Sequence, residues 1–177
     1  MTNKCECGGR MVARRENYLF EEECGLPVTL ADVEVRRCDK CGERGVVIQN
    51  PGAIKGAIAG VLARKRGRLA GAEITFLREV LGRNGREFAR LLQATPVSVS
   101  RWEQEAGIPG PHPDKLMRTA AVIHVRDFEY SVLDLEAAAS EDWNEGLRFT
   151  LERTKEGGWQ LQGEAETIRP VRGARRA

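Results

Sequence analysis

The chain has no apolar run approaching the roughly 20 residues that a membrane span needs. Its opening, MTNKCECGGRM, also lacks the apolar stretch of a signal peptide. A cytoplasmic protein with no membrane partner is expected. Length is limited too: 177 residues, 41% hydrophobic and 31% charged, accommodate one or two small domains and leave little for a large catalytic core. Histidine is nearly absent. His112 lies in a Pro/Gly-rich stretch and His124 farther on, neither beside a nucleophile motif, so an enzyme is the least expected class. Internal repeats and low-complexity tracts are missing. Cysteine is scarce and odd in number, which argues against a disulfide framework.

A large excess of one charge is also missing, since the formal net charge is +2. The distribution is uneven, however. Residues 51–70 carry Lys55, Arg64, Lys65, Arg66 and Arg68 with no acid, a local +5 that could meet a polyanion. Residues 126–168 hold four basic side chains against eleven acidic ones, a net of −7, before RPVRGARRA turns basic again. That acidic stretch should avoid DNA.

Four of the five cysteines form two close pairs, Cys5 with Cys7 and Cys38 with Cys41. In CDKCG the intervening residues turn tightly enough to aim both thiolates at one metal, and the following Gly42 eases the backbone. The CECGG pair has a single residue between its cysteines, which chelates but fits that turn less well. Cys24 is the alternative ligand where Cys5 cannot reach. The first 50 residues are poor in apolar side chains, so a closed, structural Zn2+ site gives them a physical reason to fold.

Alternation of apolar and polar residues in RMVARRENYLF and VTLADVEVRRC predicts short β-strands separated by CGLP. NPGAIKGAIAGVLARKRGRLAG places Ile54, Ala57, Ile58, Val61 and Leu62 at helical spacing after Pro51, and reads as a basic linker helix. Four short helices are expected between Gly71 and Val125. The first repeats Ile74, Leu77 and Leu81 and stops at Gly82. Asn84 and Glu87 have capping-box spacing ahead of Phe88, Ala89, Leu91 and Leu92. Thr95 caps a third helix with Pro96 at its first position, and a last helix starts near Asp114. Farther on, EYSVLDLEAAASEDW is ambiguous between strand and helix, and LRFTLERTKEGGWQLQ reads as a hairpin turning near KEGG. Trp143 and Trp159 are expected to anchor a small core belonging to this extension.

The helix beginning ATPVSVSRWE has two faces. Val99 and Trp102 point inward, while Val97, Ser98 and Arg101 share the other side near the N-terminus, where a recognition helix presents side chains to base edges. Arg101 has the reach for a bidentate contact to guanine, Val97 for a thymine methyl, and Ser98 and Ser100 for a phosphate or base. An ordinary amphipathic helix with a solvated polar face would look the same in isolation.

The pair of helices in GREFARLLQATPVSVSRWE resembles the helix-turn-helix of the XRE-type, phage-repressor-like family, in which a small residue such as Ala89 permits close crossing. Gln93 stands where that family usually has Gly, and Gly85 where it usually has a phosphate-clamping Gln. Backbone anchoring would then fall to Arg83, Asn84 and Arg86. The order of parts, with YLFEEECGLPVTLADVEVRRCDKCGE and PGPHPDKLMRTAAV, is similar to the YgiT-type zinc-finger proteins that include MqsA-like antitoxins. This resemblance covers about residues 4–125. It implies Cys5, Cys7, Cys38 and Cys41 as zinc ligands, Val97 and Arg101 facing bases, and a homodimer on a palindromic operator. In the antitoxin branch it also implies a toxin gripped by the zinc domain.

The expected architecture is α+β: a zinc-binding β domain (1–50), a basic linker helix (51–70), an all-α helix-turn-helix domain (71–125) and an acidic extension with a basic tail (126–177). The expected function is a DNA-binding transcriptional regulator. An autorepressing antitoxin and a zinc-ribbon protein-interaction module that never touches DNA remain as alternatives.

Overall fold

The computed structural model describes residues 4–125 and 129–168. Strands β1 (Met11–Leu19) and β2 (Val28–Cys38) pair antiparallel around a single helical turn, α1 (Glu21–Cys24). Strict alternation fails in β2, where Val28 and Leu30 are buried and so are Val33 and Val35. A bulge accounts for it. Ala31 and Asp32 lie between the register pairs that flank Asn17, and Asp32 takes a left-handed φ of 50°. The extra residue shifts the pleat by one, so both halves of the strand turn their valines and leucine to the same core. Arg15 holds the bulge through Nε to Asp32 Oδ1 at 2.9 Å, and Asn17 Oδ1 accepts from Asp32 N at 3.2 Å.

Strand β3 (Arg44–Val47) runs antiparallel to the second half of β2. The helices follow: α2 (Pro51–Arg64), α3 (Gly71–Val80), α4 (Gly85–Leu91), α5 (Pro96–Glu103), α6 (Pro111–Val125) and α7 (Val132–Ala137). The chain then returns as β4 (Gly146–Arg153) and β5 (Trp159–Ile168), an antiparallel hairpin whose turn closes from Thr154 N to Gly158 O at 3.1 Å. The expected hairpin is therefore present, and the ambiguous stretch before it contains a helix. β4 pairs parallel with the first half of β2, Val28 opposite Phe149 and Leu30 opposite Leu151. The sheet is mixed, in the order β1-β2-β4-β5 with β3 beside β2, and seven helices are present among the described residues. None of them is long and apolar enough to cross a membrane.

The helix expected to be a linker is part of the core. Ile54, Ile58 and Leu62 of α2 are fully buried, in one cluster with Val28 and Leu30 of β2, Leu151 of β4, Ile74 and Leu77 of α3, Phe88 of α4 and Met117 of α6. The boundaries drawn at residues 50 and 125 thus do not separate hydrophobic cores. Trp159 belongs to this cluster as well, and its Nε1 donates to Gln49 O at 3.2 Å. Trp143 packs with Lys65 Nζ 5.3 Å from its ring centroid, so neither Trp anchors a core private to the extension.

Among the described residues, two ion pairs lie inside. Lys65 Nζ donates to Glu73 Oε2 at 2.6 Å, and Glu73 also accepts from Ala70 N and Leu147 N, tying the end of α2 to α3 and β4. Burial pushes the Lys65 ammonium below its ordinary pKa and the Glu73 carboxyl above its own, each opposed by the partner's charge. The Arg118 guanidinium bonds Asp114 Oδ1 at 2.6 Å and accepts no solvent contact at all. The last helix begins at Pro111, three residues before the expected start, because prolines at 111 and 113 cost nothing where helical N–H groups are unpaired anyway. Asp114 is therefore inside the helix, buried, where its Oδ2 accepts from Leu69 N at 2.8 Å.

Candidate metal centre and helix pair

The four paired cysteines converge. Cys5, Cys7, Cys38 and Cys41 have Sγ atoms all within 4.8 Å of one another, with Cys5 to Cys41 at 3.6 Å and Cys7 to Cys38 at 3.5 Å. Two turns deliver them. Gly8 N donates to Cys5 O, and Gly42 N donates to Cys38 O at 3.2 Å. Asp39 clamps the turns together, its Oδ1 accepting from Arg10 N at 2.8 Å while its own N donates to Arg10 O at 3.0 Å. Gly9 lies so close to the second turn that a Cβ there would sit 2.5 Å from Cys38 Sγ.

A tetrahedral ion with metal–sulfur bonds of about 2.3 Å sets its sulfurs roughly 3.8 Å apart. The observed spacings fit that geometry, and the four thiols are free rather than bridged. Backbone N–H groups of Cys41 and Lys40 aim at the Cys38 sulfur and pull its pKa down to about 6, favouring the thiolate that a metal requires. These four residues can hold a metal ion. Cys24 takes no part: its thiol donates to Phe20 O at 3.1 Å, burial pushes its pKa up, and it lies outside the four-sulfur group. The single-residue spacing of CECGG does reach, so the substitute ligand is not needed.

The second candidate lies on α4 and α5. Asn84 caps α4, its Oδ1 accepting from Arg86 N at 3.1 Å and Glu87 N at 3.0 Å, while Glu87 Oε2 accepts from Asn84 N at 3.1 Å. The capping box takes the amide oxygen of Asn84, leaving its NH2 group for other contacts. Arg83 and Arg86 are exposed. The chain then turns through Gln93, whose φ of 52° is left-handed, and Ala94 N donates to Ala89 O at 2.9 Å. That is the position at which glycine would be unstrained.

Thr95 caps α5 through its hydroxyl, which accepts from Ser98 N at 3.0 Å and meets Ser98 Oγ at 2.9 Å. Ser98 is thus half-buried and engaged with its own cap. Inward, Val99 packs with Phe88 and Ala89, each at most 1% exposed, and Trp102 is half-buried beside them. Outward, Val97 is 69% exposed, with Ser100 and Arg101 also at the surface. Arg101 Nη2 donates to Ala106 O at 3.2 Å.

The basic segment ahead of these helices does not present its charge as expected. Arg64 pairs with Asp134 at 3.1 Å, Arg66 with Glu141 at 3.3 Å and Arg68 with Asp142 at 3.1 Å, and Lys65 is buried on Glu73. The acidic extension, remote in sequence, covers most of this local positive charge. The four arginines of the basic tail lie outside the described residues. Sequence reasoning missed Glu73 and Asp114 as interior acids, since both resemble ordinary helix-start residues. Comparison with protein-family models, with curated proteins and with solved structures finds no significant match to this chain.

Proposed function

We propose that this protein is a sequence-specific double-stranded DNA-binding regulator of transcription, with zinc as the structural ion of the four-cysteine centre and α4–α5 as a helix-turn-helix. The observation that carries the reading is the outer face of α5, where a valine 69% exposed stands beside Ser100 and Arg101 while Val99 fixes the helix from within. A large exposed aliphatic group is costly in water and useful against a thymine methyl. The N-terminal ends of α4 and α5 open on one shallow groove lined by Asn84, Arg86, Ser100 and Glu103, whose carboxylate is paired with Arg78 Nε at 2.6 Å, a setting for backbone phosphates. Zinc suits a closed all-thiolate set, and its role here is folding rather than chemistry. The YgiT-type and XRE-type resemblance supports the same reading and adds a homodimer on a palindromic operator.

Binding of the full chain to its own upstream DNA, measured across salt with Arg101→Ala alongside, tests it. Affinity should fall steeply with salt, and the variant should lose about 1 to 3 kcal/mol. Equal affinity of variant and wild type, or binding insensitive to salt, would overturn the reading.

A second reading is a protein-binding module, with an antitoxin that grips its toxin as one form. Ile123 of α6 and Val132 and Leu133 of α7 favour it, since each is more than 70% exposed. Retention of a neighbouring gene's product through purification, lost in Leu133→Asp, would separate it from the first.

A further inference from the structure

A cleft of about 1070 Å³ runs between α2 and the β4–β5 hairpin, at the top of the size range typical of small-ligand sites. Its helix wall is Ala53, Ala57 and Val61, one turn apart and flanking the core-facing Ile54, Ile58 and Leu62. Leu161, Ala165 and Trp159 of β5 line the same cleft. These wall residues are half-buried apolar groups attached to the main core, and together they line the cleft. Protein interiors seldom leave facing apolar surfaces apart, because the gap forfeits dispersion contacts and holds poorly bonded water.

The two ends differ in charge. Glu156 and Thr154 of the hairpin turn lie at one end with Asn50, while Arg64, Lys65 and Arg66 lie at the other with Trp143. Lys65 is turned inward to Glu73 and to Glu145 O, and Arg64 is engaged with Asp134. Arg66 is different. Its side chain is 69% exposed and its contact with Glu141 is a long surface pair at 3.3 Å, of the kind that contributes little and exchanges readily. An anionic group arriving there would find a cation already held at the mouth of an apolar channel. The apolar wall from Ala53 to Val61 is roughly 12 Å long at the rise of an α-helix.

We propose that this cleft is a binding site for a straight-chain aliphatic carboxylate, with the chain laid along Ala53, Ala57 and Val61 and the carboxylate on Arg66. The proposal is independent of the DNA-binding reading, for no residue of α4 or α5 lines the cleft.

Dodecanoate, kept below micelle-forming concentrations, is the probe, and tryptophan fluorescence of the full-length protein is the readout because Trp143 and Trp159 line the site. A saturable change is expected. Dodecylamine, with the same chain and opposite head, should bind at least about tenfold more weakly, and so should dodecanoate to Arg66→Glu. Ala57→Phe, which fills the channel from an already half-exposed position, should abolish the response while leaving the thermal midpoint near wild type. Ala53→Phe is the second filler should Ala57→Phe unfold. The proposal is overturned by the absence of a saturable response, by equal binding of the amine, or by undiminished binding to a folded filler variant.

Discussion

Replacing Arg118 with methionine should be among the most damaging single changes in the chain. The side chain is fully buried, and its guanidinium serves four acceptors: Asp114 Oδ1 at 2.6 Å through Nε, Leu62 O at 3.0 Å and Lys65 O through Nη1, and Gly67 O at 2.7 Å through Nη2. Three of these are carbonyls at the C-terminal end of α2 and just beyond it, where a helix leaves its oxygens unpaired and its dipole favours a cation. Arg118→Met keeps the volume and apolar stem but strands a buried carboxylate. Breaking a buried ion pair on one side costs about 3 to 5 kcal/mol, a large share of the ~5 to 15 kcal/mol that holds a domain folded. Arg118→Lys retains the charge and loses the fork, so it should fall between. Adding Asp114→Asn to Arg118→Met removes the stranded charge, while the amide oxygen can still accept from Leu69 N, and part of the loss should return. Urea unfolding followed by far-ultraviolet circular dichroism and by tryptophan fluorescence measures all four proteins, with coincident transitions as the test of two-state behaviour. A loss below about 1 kcal/mol for Arg118→Met, or a double variant weaker than the single, would refute the reasoning.

Cys41→Ser should abolish stoichiometric zinc measured by elemental analysis and raise amide exchange through β1 and β2, whereas Cys24→Ser should leave zinc content unchanged. Gln93→Gly should raise stability by up to about 1 kcal/mol, because Gln93 holds a φ of 52° that glycine adopts without strain; a lower urea midpoint would show that the side chain contributes more than its strain costs. Asp134 has its pKa lowered by the Ser131 backbone N–H, with the Ser131 hydroxyl and Arg64 adding to it. A depressed folded-state pKa stabilises above the ordinary aspartate value of 3.8 and the contribution disappears as pH falls through the folded value. Asp134→Ala should therefore reduce stability near about pH 6, and the difference from wild type should shrink as pH falls below the ordinary aspartate value, read from unfolding midpoints at each pH.

The local features were legible in residue order because short-range physics writes them. Glu87 lies three residues after Asn84 as a capping box requires, Thr95-Pro96 marks a helix start, Gly82 takes its left-handed φ of 62°, and KEGG turns a hairpin. Two cysteine pairs 31 residues apart announced a shared four-sulfur cluster able to hold a metal on chemistry alone. The inward Val99 and outward Val97 also followed from helical spacing. What misled was charge. The run from Arg64 to Arg68 looks like a surface for polyanions until the fold supplies Glu73, Asp134, Glu141 and Asp142 as partners.

By itself, then, the sequence determined most of the elements, their caps and the pairing of Cys38 with Cys41, each set by neighbours a few residues away, while the choice of Cys5 over Cys24 waited for the fold. The tertiary structure decided which elements share a core. Val28 to Leu30 pairs with Phe149 to Leu151 across more than 100 residues, and α6, α3 and the hairpin close over α2, which makes it an interior helix, not a linker. A strand's hydrogen-bonding edge carries no label for its partner, and a lysine or glutamate reads as solvent-exposed until a second charge arrives to keep it company in the interior.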